Sequence, residues 1–156
     1  MKGEAAACLT SPLPNGERER AASAAGARAS QRVLVRPATR ADFDALIDEP
    51  LPYRVRATAA ERGGKLVAVG GLAFQPDDTV AAFLILAPGE RGAPGFRLAL
   101  HKAGRRMIAD ARRLGIRRVV ATAEPNNPAA EPWLARLGFT RAGTANDSIW
   151  IWRSET

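Results

Sequence analysis

Apolar residues recur along two different periods in this chain, and the change from one to the other marks out its elements. Over PGFRLALHKAGRRMIADARRLG, Phe96, Leu100, Ala103, Met107, Ala111 and Leu114 follow at spacings of four, three, four, four and three. That is one stripe of an α-helix, and Gly115 just beyond it is the residue type that ends helices in the left-handed region. VAAFLIL, at 80–86, is apolar at every position. A strand without alternation predicts cover on both faces and a place at the sheet centre. RRVVATA, at 117–123, predicts another buried strand, and NPAAEPWLARLG, at 127–138, a short helix with Gly138 as its stop.

The remaining elements are shorter. RVLVRPATRADFDALI reads as a strand at 33–36, a turn at Pro37, and a helix capped by Thr39 with Asp42 in its first turn. PYRVRATAAERGGKLVAVGGLAF reads as two strands joined at Gly63-Gly64, a hairpin dipeptide, with a second turn at Gln75-Pro76-Asp77-Asp78. Two closing strands are expected at 139–145 and 148–153. Trp150 and Trp152 alternate with Ile149 and Ile151, which predicts one face in the core; an aromatic lid or a homodimer surface is the other reading. The order, βαββ followed by βαβαββ, predicts an α/β fold with a central mixed sheet and helices on its faces. No internal repeat interrupts it.

Residues 1–31 break this patterning. They are rich in Ala, Gly, Ser, Pro and charge, with Leu9 and Leu13 as the only large aliphatic residues after Met1. Such a stretch cannot bury enough apolar surface to offset its ordering entropy, so it is expected to be disordered, with a single domain over 32–156. The abrupt change at Arg32 suggests upstream sequence read from a misassigned start.

Composition narrows the classes. The 156 residues are 46% hydrophobic and 25% charged, and 23 Lys and Arg against 16 Asp and Glu give a formal net charge of +7. A basic balance favours anionic partners without choosing among nucleic acid, lipid and a polyanionic cofactor. Cys8 is the only cysteine and His101 the only histidine, which excludes an intrachain disulfide and a Cys/His zinc site. No apolar run approaches the roughly 20 residues of a membrane span, and residues 1–30 lack a signal-peptide core, so a cytoplasmic address is expected.

Residues 127–139, Asn-Pro-Ala-Ala-Glu-Pro-Trp-Leu-Ala-Arg-Leu-Gly-Phe, carry an asparagine, an alanine three later and a final Leu-Gly-Phe. With the strand and long helix before them and Arg36-Pro37 after the first strand, they resemble the GNAT superfamily of acyl-CoA N-acyltransferases over roughly 120 residues. The resemblance implies that the strand at 80–86 splays from the strand at 118–123 to admit the pantetheine arm of acetyl-CoA, with Leu84 and Leu86 beside it. It implies a diphosphate held by backbone amides at the start of the long helix, where unpaired N–H groups and the helix dipole favour phosphate. Arg91 and Gly92 align with that loop. Pro94 and Phe96 stand where the family has two small residues, and a one-residue slip would use Gly95 instead, with Pro94 as the first helical residue. Asn127 matches a position that touches the cofactor arm, and it is equally an N-cap before Pro128.

Acetyl transfer to an amine needs a base for the ammonium proton and often an acid for the departing thiolate. The family's tyrosine falls on Leu134 here, and Tyr53 is the only tyrosine in the chain. Among the carboxylates at strand ends, Glu61, Asp77, Asp78 and Glu124, the last lies beside the expected splay and is the candidate base. The basic residues of the long helix lie off its apolar stripe and read as a solvated face, with contact to a coenzyme phosphate or to nucleic acid as lesser readings. Three functions are compatible: an N-acetyltransferase acting on a small-molecule or protein amine, a non-catalytic GNAT-like binding module, and, less favoured, a nucleic-acid-binding domain. The misassigned-start expectation has its own test: mass spectrometry of the native protein should find no tryptic peptide covering 21–28, and its detection contradicts that reading.

Overall fold

The computed structural model describes residues 32–48, 53–90, 95–144 and 148–154. The extension 1–31 and the loop residues Arg91, Gly92 and Pro94 lie outside the described residues. Strand β1 (Val33–Pro37) leads to helix α1 (Arg40–Leu46), then β2 (Arg54–Arg62), β3 (Lys65–Phe74) and β4 (Val80–Leu86). Helix α2 (Phe96–Arg113), β5 (Arg118–Thr122), α3 (Ala130–Arg136), β6 (Thr140–Ala142) and β7 (Ile149–Arg153) complete the chain. The strands form one seven-stranded sheet in the order β1-β2-β3-β4-β5-β7-β6. Every neighbouring pair is antiparallel except β4 and β5, which α2 joins as a parallel crossover.

Local chemistry explains the first half. Gly63 and Gly64 both have positive φ, 58° and 77°, so they close a two-residue turn whose twist matches the strands it joins. Between Ala60 and Glu61 the β2–β3 register shifts, with Val67 as the extra residue, so that Val67 and Ala68 are both buried. At Gly71 the chains are too close for a side chain, because a Cβ there would meet the backbone of Arg56 and Ala57. Arg36 ties β1 to its neighbours: its guanidinium donates to both Asp42 carboxylate oxygens at 2.7 Å and to Glu61 on β2. Asp42 also accepts from the backbone N–H of Thr39 at 2.7 Å and from its hydroxyl at 2.9 Å, which fixes the start of α1. The guanidinium, with help from Thr39, holds the buried Asp42 carboxyl far below its ordinary range.

Helix α2 covers two apolar clusters on one face of the sheet. Its N-terminal end puts Phe96 into a cluster with Ala60, Val67 and Ala68. Its C-terminal half puts Ile108 and Ala111 into a larger one with Val119, Leu134, Leu137, Phe139, Trp150 and Trp152. On the opposite face α1 packs across β4, with the rings of Phe43 and Phe83 6.2 Å apart.

Three sequence expectations need correction. Strand β4 is central but not covered on both faces: none of its residues is fully buried, and Leu84 is exposed. The buried line of α2 runs through Phe96, Gly104, Ile108 and Ala111, while Leu114 ends up exposed at the helix terminus. Helix α3 begins at Ala130 instead of Pro128, so Asn127 is not its N-cap; its Oδ1 accepts from the Ala129 N–H at 3.2 Å in a turn ahead of the helix. In β7, Trp150 and Trp152 enter the larger core cluster as the alternation predicts, while on the other face Ile149 is exposed and Ile151 buried.

The Asp42 carboxyl, depressed in the folded protein from an ordinary 3.8, contributes stability that is present above that value and lost as pH falls below it. Arg36 stays protonated in both states and adds no pH dependence in this window. Urea midpoints measured from pH 6 down to pH 2 should therefore fall more steeply for the parent than for Asp42→Asn. Equal slopes would show that the cluster does not couple folding to pH.

Candidate functional site

Hydrogen bonding decides where the sheet opens. Strand β4 pairs with β3 along its whole length, from Phe74↔Val80 to Ala68↔Leu86, and the Ala87 N–H adds a bond to the Val67 carbonyl at 2.9 Å. Strand β5 pairs with β7 from Arg118↔Arg153 to Thr122↔Ile149, and the Ala123 N–H continues to the Ser148 carbonyl at 2.8 Å. Between β4 and β5 the register holds at one pair, Ala81↔Val120. Beyond it each strand follows its other neighbour, and the facing edges part toward their C-terminal ends.

The N-terminus of α2 follows β4 and so lies at the open end. Gly95 is its N-cap in the left-handed conformation, φ 76°, with no heavy atom within 4 Å of a Cβ built on it. The first bond of the helix runs from the Ala99 N–H to the Gly95 carbonyl at 3.1 Å. The N–H groups of Phe96, Arg97 and Leu98 therefore have no acceptor within the helix, and its first turn carries no acidic residue. The Phe96 side chain, 2% exposed, points into the core and leaves only its backbone to the terminus. The segment leading into the helix is anchored at Glu90, which pairs with Arg62 at the end of β2.

Between the two core clusters, under the middle of α2, lies an apolar cavity of about 50 Å³. Leu84, Gly70 and Ala68 form its floor, Leu100, Ala103, Gly104 and Met107 its roof, and Trp133 of α3 one wall. Small residues create this space: Cβ atoms are missing at Gly70 and Gly104, at positions where neighbouring side chains have moved in close.

Of the residues singled out from sequence, Leu84 lines this cavity, whereas Leu86 packs against the cluster around Phe96. Gly95 sits at the helix terminus, and Arg91 and Gly92 lie outside the described residues. Glu124 and Asn127 share one turn beyond β5, closed by the Asn127 N–H to the Glu124 carbonyl at 3.0 Å. Glu124 is exposed there. The other strand-end carboxylates are placed elsewhere: Glu61 is bound to Arg36, and Asp77, whose carboxyl is lowered by bonds from Thr79, precedes β4 at the opposite end from the opening. Leu134 is buried in the core, and Tyr53 lies on the surface just before β2. Sequence reasoning missed Trp133, Gly104 and Met107 as cavity walls; the available signal was the run of small residues, Ala99, Ala103 and Gly104, on one side of α2.

Among the described residues no three His, Cys, Asp or Glu side chains could hold a metal ion together, and no helix is long and apolar enough to cross a membrane. The basic side chains of α2, including Arg97, Lys102, Arg105 and Arg106, are exposed, and Arg112 stacks over Trp152 at 5.5 Å.

Solved structures with this architecture are known. An N-acetyltransferase from Staphylococcus aureus Mu50 is 17% identical, with a TM-score of 0.57 over 78% of this chain and 98% of that one. YncA of Salmonella typhimurium, described as an acetyltransferase with its cofactor acetyl-CoA, is 18% identical, with a TM-score of 0.56 over 78% and 93%. The GNAT domain of S. lividans PAT is 19% identical, with a TM-score of 0.54 over 77% and 89%. No family model matches the sequence, and no curated protein matches it. At these identities the likeness establishes the fold, which is the GNAT fold.

Proposed function

We propose that this chain binds an acyl-coenzyme A, with acetyl-CoA as the first candidate, and transfers its acyl group to a primary amine. The observation that carries this reading is the opening between β4 and β5 with the N-terminus of α2 at its mouth. The residues present suit such a cofactor. Three unbonded N–H groups and the positive end of an 18-residue helix dipole favour a diphosphate. The parted strand edges offer backbone donors and acceptors to an extended amide-bearing arm, and the small-walled cavity is lined mainly by apolar side chains.

When bound, the cofactor supplies an activated thioester carbonyl; the remaining tasks fall to this chain. Gly95 lets the backbone approach a phosphate closely, and Arg91 and Gly92 are proposed as further cofactor-binding residues. Leu84 borders the apolar space that keeps water from the reacting group. Glu124 is the proposed acceptor of the ammonium proton, since it lies in the turn that follows β5, beside the opening. Leu134 stands where a tyrosine would serve as the acid, so a proton for the leaving group would come from solvent or, after uptake from the amine, through Glu124. An amine acceptor follows from the N-acetyltransferase activity named for the structural relatives.

Coenzyme A at 100 times its Kd should add about 2.7 kcal/mol of stability, which for a domain of this size raises Tm by about 5–10 °C. Arg91→Glu should reduce the rise. An unchanged Tm at millimolar coenzyme A overturns the reading.

A further inference from the structure

The wall of the cavity beneath α2 contains a hydrogen-bond donor that the protein does not use. Trp133 of α3 borders the cavity, and its Nε1 is buried without an acceptor among the described residues. Buried polar groups in folded proteins are nearly always paired, so an orphan of this kind calls for an explanation. The placement of the ring is specific. A Cβ at position 104 would stand 3.2 Å from Cζ2 of Trp133 and 2.9 Å from Cδ1 of Leu137, so only glycine lets this edge of the indole lie against α2. Cζ2 and Nε1 are both bonded to Cε2, so the edge admitted by Gly104 is the one that carries the N–H.

A resident water would not resolve the matter. A buried water needs two to four polar partners, and the side chains of the cavity walls are apolar apart from Trp133 and Thr58, the latter exposed on β2. Trp150 Nε1 also lacks an acceptor among the described residues, but Trp150 belongs to the larger core cluster and does not line this cavity. The group that fits at Trp133 is an acceptor flanked by apolar atoms. An acyl-pantetheine chain has this character, with carbonyls separated by methylenes. Position agrees: Gly104 lies nine residues from Gly95 along α2, or about 14 Å at the helical rise of 1.5 Å per residue, well down the arm from a diphosphate held at the terminus.

We propose that the Trp133 indole N–H donates a hydrogen bond to a carbonyl oxygen of the acyl-pantetheine chain, making Trp133 a cofactor-binding residue in addition to the strand edges. This rests on the acyl-CoA reading above. The thioester carbonyl and the pantetheine amide carbonyls share the required chemistry.

Indole N–H resonances of the ¹⁵N-labelled full chain, titrated with coenzyme A and separately with acetyl-CoA, test it directly. Trp133 is assigned by its loss in Trp133→Phe, or in Trp133→Tyr should the first variant not fold. The Trp133 proton should move downfield on binding while those of Trp150 and Trp152 stay in place. A shift with both ligands supports an amide carbonyl as acceptor, and a shift with acetyl-CoA alone supports the thioester carbonyl. Calorimetry should show the variant binding roughly two- to tenfold more weakly, the net effect of one hydrogen bond. If the amides of Phe96 to Leu98 shift and the Trp133 indole does not, the proposal is overturned while the cofactor reading stands. If no resonance responds to either ligand, the cofactor reading fails and the proposal fails with it.

Discussion

The competition of β4 and β5 for backbone partners organises this molecule. A strand in a sheet interior normally satisfies both of its edges, since an unpaired backbone group away from water costs free energy comparable to a lost hydrogen bond. Here β4 is committed to β3 over seven registered pairs and β5 to β7 over five, while the two meet at one pair only. The unpaired edges lie in the middle of the sheet, where no other strand of the fold can reach them. Both apolar clusters lie under α2, which bridges them with the cavity between, and the larger one draws residues from both sides of the opening.

The Arg36 cluster supports the arrangement from a distance. By joining β1, the start of α1 and β2, it fixes the half of the sheet on which β3 and β4 are laid down. The Arg62–Glu90 pair extends that support to the chain leaving β4. Charge and site are thus separated: the acidic partners of the paired arginines are spent on positioning, while Arg97 is exposed in the first turn of α2, beside the terminus that the proposed function assigns to a diphosphate.

Much of the fold was legible because its elements obey simple rules. Gly63-Gly64 demanded positive φ and formed the expected turn; the extent of α2, the order of the elements and the glycine stops at Gly115 and Gly138 all appear where the pattern placed them. Strand β4 was misread for a physical reason. An unbroken apolar run marks a strand that avoids water, and a strand facing a ligand slot satisfies that rule as well as one covered by protein, so Leu84 looked buried and is exposed. The neighbours Trp133 and Leu134 show a second limit. They sit about 100° apart around α3, so that Leu134 enters the core while Trp133 borders the cavity, and only the orientation of the helix tells which is which. Gly104 was hidden inside the α2 stripe because its role is the absence of a side chain where α3 approaches.

The central claim is that the parted edges and the α2 terminus act together as one binding surface. Backbone hydrogen exchange with and without saturating coenzyme A reads both at once. The account predicts slower exchange on binding for amides in Ala82 to Leu86 and in Phe96 to Leu98, with β1 and β6 unaffected. Exchange that is unchanged at both segments, or slowed uniformly across the sheet, would contradict it.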